Sequence, residues 1–599
     1  MIEKKAGNYQ LQKLRTIHLF EADYNWLLGM IFGRRMVHAA ERQKHLHEGN
    51  WGSRPGRSSH DALLHKILSY ETARLTRTPL ATFDNDAKSC YDRIVMVFAL
   101  MLCQKHGVPQ SMCKMAAFSL ILAEYSIKTK YGISEGRYSS TPDQPTHGPG
   151  QGSRMAPALW LIIACLLFEA MSKLCHGAEF CNPSQTTSHQ RSGDGFVDDV
   201  TNFFNFGLAT MLLQEFDHNE LAAGLQKEAQ IWERLLYSTG GQLELPKCLY
   251  YLLIFDFKPD GTPTLRPAAD MGHDLLRMTT GISPDLSVIE HRECSSAHKT
   301  LGLHLAPNGC QRTQAHELQI KSDRFAAGMA KAPLSHYEAR TAYWMMWLPS
   351  LTYCLPCSFL SKTQLHRVQK KMISTGLSKR GYSSKTTRAV VFGPRRLLGI
   401  GDRHLYYEQG IGGTLQLLKH IRSNSKLGSF LQIVLDWTQL HAGVSFSILE
   451  QTNQALPHLE SGWLPAIRAF LGTIDASIHL PTMVLPTLLR VHDRILMDDV
   501  LDNDFTSREA KKLNLCRIFL QVENLSECST PTGDCILDRV WKGERPHSKS
   551  NSLWPRQARP HKASWQLWRR FLRLVYLHTY TRPNKKPTCV ARTSLSTNR

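Results

Sequence analysis

Two short stretches, Phe83–Asp92 (FDNDAKSCYD) and Gly195–Val200 (GFVDDV), decide how this chain is read. The first follows LATF at Leu80–Phe83, an apolar, β-forming run that predicts a short strand with acids at its end. The second places Phe196 and Val197 before Asp198 and Asp199, with β-formers after them, which is the pattern of a strand–turn–strand hairpin. An acid ending one strand, opposite a tight hairpin carrying two more, gathers carboxylates at one point. Carboxylate oxygens suit Mg²⁺, which keeps waters and substrate phosphates in its remaining positions.

A pair of adjacent acids alone says little, because most such pairs are solvated turn acids. The chain carries its own control in MDDV, Met497–Val500. That pair lies in ILMDDVLDNDF, predicted on a helix or its end, with no glycine-rich loop or carboxylate-bearing strand upstream. Ordered context is what separates the two pairs.

Outward from the acids, 93–130 predicts helix and 134–152 a polar loop rich in Ser, Pro, Gly and Thr. Met155–Leu174 predicts a buried helix; its apolar run Pro157–Phe168 is too short to span a bilayer and is closed by Glu169, so no stable membrane insertion is expected. Leu221, Leu225, Trp232, Leu235 and Leu236 recur at helical spacing over Glu220–Tyr237. GGQLELPKCLYYLLIF and KTLGLHL are strand-like, and from Gln314 onward the pattern is mostly helical, including Tyr337–Trp347 and Leu427–Leu440. Residues 543–563, rich in Pro, Ser, His and Arg, predict a flexible linker.

The chain has 599 residues, 42% hydrophobic and 21% charged, which predicts several folded units rather than disorder. Net charge is +21, pointing to a polyanionic partner. Over Lys542–Arg599 fourteen Lys and Arg face one acid, Glu544, so 14 − 1 = +13 of that excess is C-terminal. There Trp541, Trp554, Trp565, Trp568, Phe571 and Tyr576 interleave with cations. That pattern suits either single-stranded nucleic acid or a basic amphipathic helix packed on protein or membrane. No apolar leader is visible at the N-terminus, and fifteen cysteines then read as free thiols in a reducing, intracellular compartment. Cys354 and Cys357 form a CxxC without a second pair at zinc spacing, so they read as buried thiols. GSRPGRS, from Gly52, nearly mimics a phosphate-binding P-loop but has too few residues between its glycines and Arg for Lys, so that reading is rejected.

With these blocks in order, residues 14–305 resemble the reverse transcriptases of non-LTR-type retroelements. The resemblance runs through IHLFEADYNWL (Ile17–Leu27), GSRPGRSSHDAL (Gly52–Leu63), FDNDAKSCYDRI, HGPGQGSRMAP (His147–Pro157), FVDD, GGQLELPKC and HKTLGLHL. It implies an α+β right-hand polymerase fold of fingers, palm and thumb, with an additional mostly helical C-terminal region. The expected divisions are fingers from 1 to 80, palm with a fingers insertion from 81 to 310, thumb-like helices from 311 to 425, further helices from 426 to 540 and a basic aromatic tail from 541 to 599. It implies Asp86 and Asp198 as main metal ligands with Asp199 adjacent, and two Mg²⁺ ions, replaceable by Mn²⁺. Tyr91 falls where the family places an aromatic against the incoming sugar, selecting dNTPs. Gln151, Gly152 and Ser153 would run near the nascent base pair, Arg54 and Arg57 would hold the triphosphate, and Lys247 matches the lysine after the palm helix. Asp84 and Asp92 read as structural acids. Arg154 departs from the family's small residue or proline.

The implied activity is RNA-directed DNA synthesis by a retroelement enzyme, with RNA template, DNA primer and dNTPs as partners. The competing readings are a catalytically inactive nucleic-acid-binding remnant and an RNA-dependent RNA polymerase. Tyr91 and FVDD speak against the latter. No endonuclease or RNase H signature is found, and nuclear action suits an element that integrates.

Overall fold

A computed structural model describes residues 17–576, apart from 130, 144–146, 424, 492, 534 and 547–551, together with the backbone of 2–3 and 14–15. The last part of the basic tail, 577–599, lies outside the described residues.

The chain is a mixture of helix and sheet around a five-stranded sheet. Its central strand β1 (Leu80–Asp86) is the predicted one, buried on both faces until its last residue. On one face Ala81 and Phe83 join a core with helices Ala156–Leu174 and His218–Ser238; on the other Leu80 packs with helix Ser59–Thr76. The predicted hairpin lies beside it as Gly193–Phe196 and Asp199–Phe204. Leu249–Leu253 flanks β1 on the other side and pairs in parallel with Glu290–His291.

In chain order we name the helices α1 (Ser59–Thr76), α2 (Met96–Lys105), α3 (Gln110–Ile121), α4 (Ala156–Leu174), α5 (His218–Ser238), α6 (Arg312–Lys331), α7 (His336–Thr341), α8 (Lys362–Lys379), α9 (Leu405–Arg422), α10 (Lys426–Ala442), α11 (Leu496–Asp502), α12 (Ser507–Leu520) and α13 (Lys562–Tyr576). Of the strands after β1 we name β2 (Glu124–Thr129), β3 (Gly132–Ser139), β4 (Ala178–Cys181), β5 (Ser188–Arg191), β6 (Gly193–Phe196), β7 (Asp199–Phe204), β8 (Leu249–Leu253) and β9 (Glu290–His291). The main sheet then runs β9-β8-β1-β7-β6.

Three expectations change, and one left open is resolved. Helix does not persist to 130: it ends at Ile121, and β2 and β3 pair as a hairpin in which Gly132, opposite Thr129, has a φ of +133° that glycine tolerates. The alternation of EYSIKT suits a strand better than a helix, and the polar loop begins only after Ser139. Residues 552–561 are not a loose linker. Leu553 N donates to Pro183 O (2.7 Å), Arg556 N donates to Thr76 O (3.0 Å), and Trp554 and Gln557 are buried, so this stretch straps the C-terminal region to the sheet's periphery. Of the tail aromatics, Trp541, Trp554, Trp565, Trp568 and Phe571 are all buried, the last three on α13 against α12. The packed amphipathic helix is what forms there, and these rings are core rather than stacking platforms. MDDV sits on α11, where Asp499 pairs with Arg494 and Asp498 accepts from Ser445 N (3.2 Å).

α4 is long and apolar enough to cross a membrane, yet it packs against α2 and α5, and Trp160 on it bonds to the turn between β6 and β7.

α1 shows how the block GRSSHDAL folds. Ser58 and Asp61 form a reciprocal capping box: Asp61 N donates to Ser58 Oγ (3.4 Å) and Ser58 N donates to Asp61 Oδ2 (2.7 Å). Asp61 is wholly buried and also receives Lys419 Nζ (2.8 Å) and His420 Nε2 (2.8 Å) from α9. Burial opposes its ionisation, but these two partners outweigh it and hold the carboxyl well below its usual range. Its stabilisation is therefore present above pH ~4 and fades as pH falls further. Asp61→Ala should cost roughly 3–5 kcal/mol, because it strips a helix cap and leaves the Lys419 ammonium and the His420 ring without their shared acceptor. Thermal unfolding with hydrogen exchange on α1 and α9 reads this; unchanged protection would show that the junction does not hold the two parts together.

Candidate active site

β1 and β7 pair antiparallel, with Asp86 directly opposite Asp199. Cross-strand partners point to the same face, so both carboxylates lie on the side of the sheet that carries Thr82, Asp84, Thr201 and Phe203. Asp198 stands at the tip of the β6–β7 turn, because Phe196 pairs with Asp199 and leaves only Val197 and Asp198 between them. Val197 has φ +63°, unusual for a β-branched residue and normally given to glycine at the first position of such a turn. Two contacts hold it. Trp160 Nε1 on α4 donates to Val197 O (2.6 Å), and a Cβ on Gly52 would sit 2.7 Å from Val197 N, so the loop before α1 closes on the tip only through a glycine. Ala87 N donates to Asp198 O (3.2 Å) and Glu244 N donates to Asp86 O (2.9 Å), fastening tip, strand end and the turn before β8 together.

Asp198 and Asp199 are exposed and Asp86 is half-buried. Crowding by surrounding protein, and then the charges of Asp198 and Asp86, raise the Asp199 carboxyl to about 6. Lys247 donates a charge-assisted hydrogen bond to Asp86, and despite some burial this contact raises the ammonium's pKa. Burial and then Asp198 push the Cys90 thiol up to about 12; burial, followed by Cys90 and Asp198, raises the Tyr91 hydroxyl. The structure thus gathers Asp86, Asp198, Asp199, Lys247 and Tyr91 around one charge cluster.

The loop at 147–152 is laid against Tyr91 and His18. A Cβ on Gly148 would lie 2.0 Å from Tyr91 O and one on Gly152 2.2 Å from His18 O, at φ +69° and +117°. His18 N donates to Gln151 O (2.6 Å), and Ser153 beyond the loop is buried. Asn25 clamps the next turn, donating to Gly152 O (3.0 Å) and accepting from Arg154 N (2.8 Å), while the Arg154 side chain lies over Gly29. Arg154 is accommodated by the first sequence block.

The two loop arginines are not brought to the carboxylates. Arg54 is buried, and four of its N–H bonds are committed: two to Glu41 (2.8 and 3.0 Å) and two to the carbonyls of His47 and Asn50 (2.6 and 2.8 Å). Its expected role as a triphosphate ligand is corrected to a structural one, since a guanidinium has five donors in all. Arg57 lies over the Trp51 ring (5.1 Å) and lines a cavity of about 400 Å³ with His47, His189 and Lys426.

Sequence reasoning missed two supports. Lys66 on α1 donates to Asp84 Oδ1 (2.6 Å), which also accepts from Thr201 Oγ1 (2.6 Å), so Asp84 is a buried paired acid next to the cluster. Trp232 Nε1 on α5 donates to Asn85 Oδ1 (3.0 Å), fixing β1 from the other face. Cys354 and Cys357 are buried thiols; Gln314 Nε2 donates to Cys354 Sγ (3.0 Å). Among the described residues no three His, Cys, Asp or Glu side chains converge as a ready metal cage. The acids present still fit Mg²⁺, which takes one or two carboxylates and completes its shell with water and phosphate, and the Lys247 ammonium shows that Asp86 attracts a cation.

No family model and no curated protein matches the sequence. Solved telomerases show a loose likeness. Telomerase from Candida albicans with a TWJ fragment of telomeric RNA aligns at TM-score 0.26 and 11% identity over 68% of this chain and 54% of that one. Apo telomerase from Candida tropicalis aligns at 0.28 and 11% over 70% and 60%. The chain spans little more than half the length of these proteins, and superpositions this loose carry no argument about fold or activity.

The charge cluster has a direct readout. In metal-free protein the Asp199 carboxyl should titrate near pH 6, and Asp86→Asn, by removing a like charge, should lower that midpoint. Because the folded value lies above the unfolded one, Asp199 favours the fold at low pH, an effect that fades as pH rises through about 6. Carboxyl NMR of ¹³C-aspartate protein follows the midpoint; an Asp86→Asn curve superimposable on the parent would refute the coupling.

Proposed function

We propose that this chain is the RNA-directed DNA polymerase of a retroelement, extending a primer 3′-hydroxyl with dNTPs on an RNA template. The observation that supports it is the register placing Asp86 opposite Asp199, with Asp198 at the adjoining hairpin tip. The ordered sequence blocks, and the approach of Tyr91 and the glycine loop to that cluster, support it further.

In this reading the sheet is the palm, α2, α3 and the β2–β3 hairpin belong to the palm and its insertion, and α6 and α8 begin the thumb. Asp86 and Asp198 would hold two Mg²⁺ ions with Asp199 assisting, and the ions would supply acidification of the attacking hydroxyl and charge neutralisation for the departing pyrophosphate. The chain's own residues orient the reactants. Tyr91, at the base of the cluster, offers a ring that a ribose 2′-hydroxyl would strike. Gln151 and Gly152 present backbone close to the new base pair, where a side chain would obstruct. Lys247 neutralises Asp86 until cation and triphosphate arrive, and is then available to a phosphate. Arg57, lying over the Trp51 ring and away from the carboxylates, has no part in this reading.

Primer extension on an RNA template with Mg²⁺ and dNTPs tests this. Asp198→Asn should reduce extension by roughly a thousandfold or more, the ~4 kcal/mol or larger contribution of a metal-holding carboxylate. Full activity in that variant would remove the metal-site assignment, and no extension by the parent on any primer–template would favour a binding-only protein. Tyr91→Ala should raise incorporation of NTPs relative to dNTPs in the same assay. An unchanged ratio would return Tyr91 to the core.

A further inference from the structure

α7 continues through a wide π-type turn (Ala342–Trp347), and together they present an outward face. On it Tyr337 is 79% exposed, Arg340 is exposed, and Trp344 is half-buried with the guanidinium groups of Arg395 and Arg403 6.0 and 5.9 Å from its ring. Tyr337, Arg340, Trp344 and Arg395 line an open cleft of about 890 Å³. Tyr337, Arg340 and Arg395 also line an adjoining cleft of about 400 Å³ that reaches Tyr382, so the two form one groove.

The segment bounding this groove, 379–403, carries Lys379, Arg380, Lys385, Arg388, Arg395, Arg396 and Arg403 against one acid, Asp402, giving 7 − 1 = +6. Asp402 is spent on Arg380, which donates to both its oxygens at 2.7 Å. Arg403 pairs with Glu408 (3.0 Å), and Arg395 donates to the Ile400 carbonyl (3.3 Å). Among the described residues Arg340, Arg388 and Arg396 have no acidic partner within ion-pair distance. A fold does not need this much uncompensated cation around an exposed ring.

We propose that this groove binds unpaired, single-stranded nucleic acid, a base stacking on Tyr337 with Trp344 behind it and the flanking phosphates meeting Arg340 and Arg395. Phosphate contacts alone would suit a duplex equally. The exposed ring within the cleft selects the unpaired strand, because bases locked in a duplex keep their faces to one another. The spacing of cation and aromatic gives affinity without base identity, so sequence preference should be weak. This inference stands apart from the polymerase reading, since it uses none of the carboxylate cluster.

The test uses the full chain carrying Asp198→Asn, so that binding is measured without turnover. Fluorescence anisotropy follows a labelled oligo(dT) and oligo(rU) of about twenty nucleotides, the span of a few stacking sites, and a duplex of equal length. Tyr337→Ala should weaken single-strand binding about fivefold or more while leaving the duplex nearly unchanged. Arg340→Ala with Arg395→Ala should flatten the dependence of log K on log salt by about 1.4, roughly 0.7 for each phosphate no longer neutralised. Lys105→Ala with Lys258→Ala, exposed cations elsewhere, should do less, and melting temperatures should match the parent. Equal weakening for duplex and single strand would overturn the proposal in favour of a duplex-tracking face. Unchanged oligonucleotide binding would overturn it outright, as would an effect confined to vesicles of anionic lipid.

Discussion

The pairing of β1 with β7 is the constraint on which the site depends. Strand side chains alternate with period two, so a slip of one residue would send Asp86 and Asp199 to opposite faces. The register is secured from both sides of the sheet. Ala81, Phe83 and Val200 must meet the α4 and α5 core, while Thr82, Asp84 and Thr201 must meet α1, where any other alignment would separate Asp84 from both Lys66 and Thr201. The acids at the strand ends are thus placed by apolar packing and by one buried ion pair.

Gathering like charges works against the fold, and the surroundings show how it is offset. Lys247 compensates Asp86, and the elevated Asp199 carboxyl records its burial first and then the repulsion that remains. The hairpin tip is held in a backbone conformation its valine would not choose, by an indole hydrogen bond and the bare backbone of Gly52. Strain and like charge concentrated at one point persist only because rigid neighbours hold them there.

The basic character of the chain has two components that composition alone merges. Arg54, Arg191, Arg380 and Arg517 are buried and used as internal connectors, donating to carboxylates and carbonyls. Other cations, on the 379–403 segment above all, lie exposed. Net charge of +21 therefore understates how unevenly the accessible charge is distributed.

The sequence by itself determined the central strand, the acid-bearing hairpin, the buried helix α4, the helical second half and the structural character of MDDV. Each of these is a local pattern of period two or 3.6, or an ordered string of short blocks, and local patterns survive without knowledge of the fold. Only the tertiary structure decided which charges meet. Arg54 and Arg57 look alike in GSRPGRS, yet Glu41 and two carbonyls converge on the first and an indole on the second. The C-terminal aromatics read as well for stacking as for packing until α12 supplied their partner surface. Burial and pairing are properties of what the rest of the chain brings alongside, and one-dimensional spacing does not contain them.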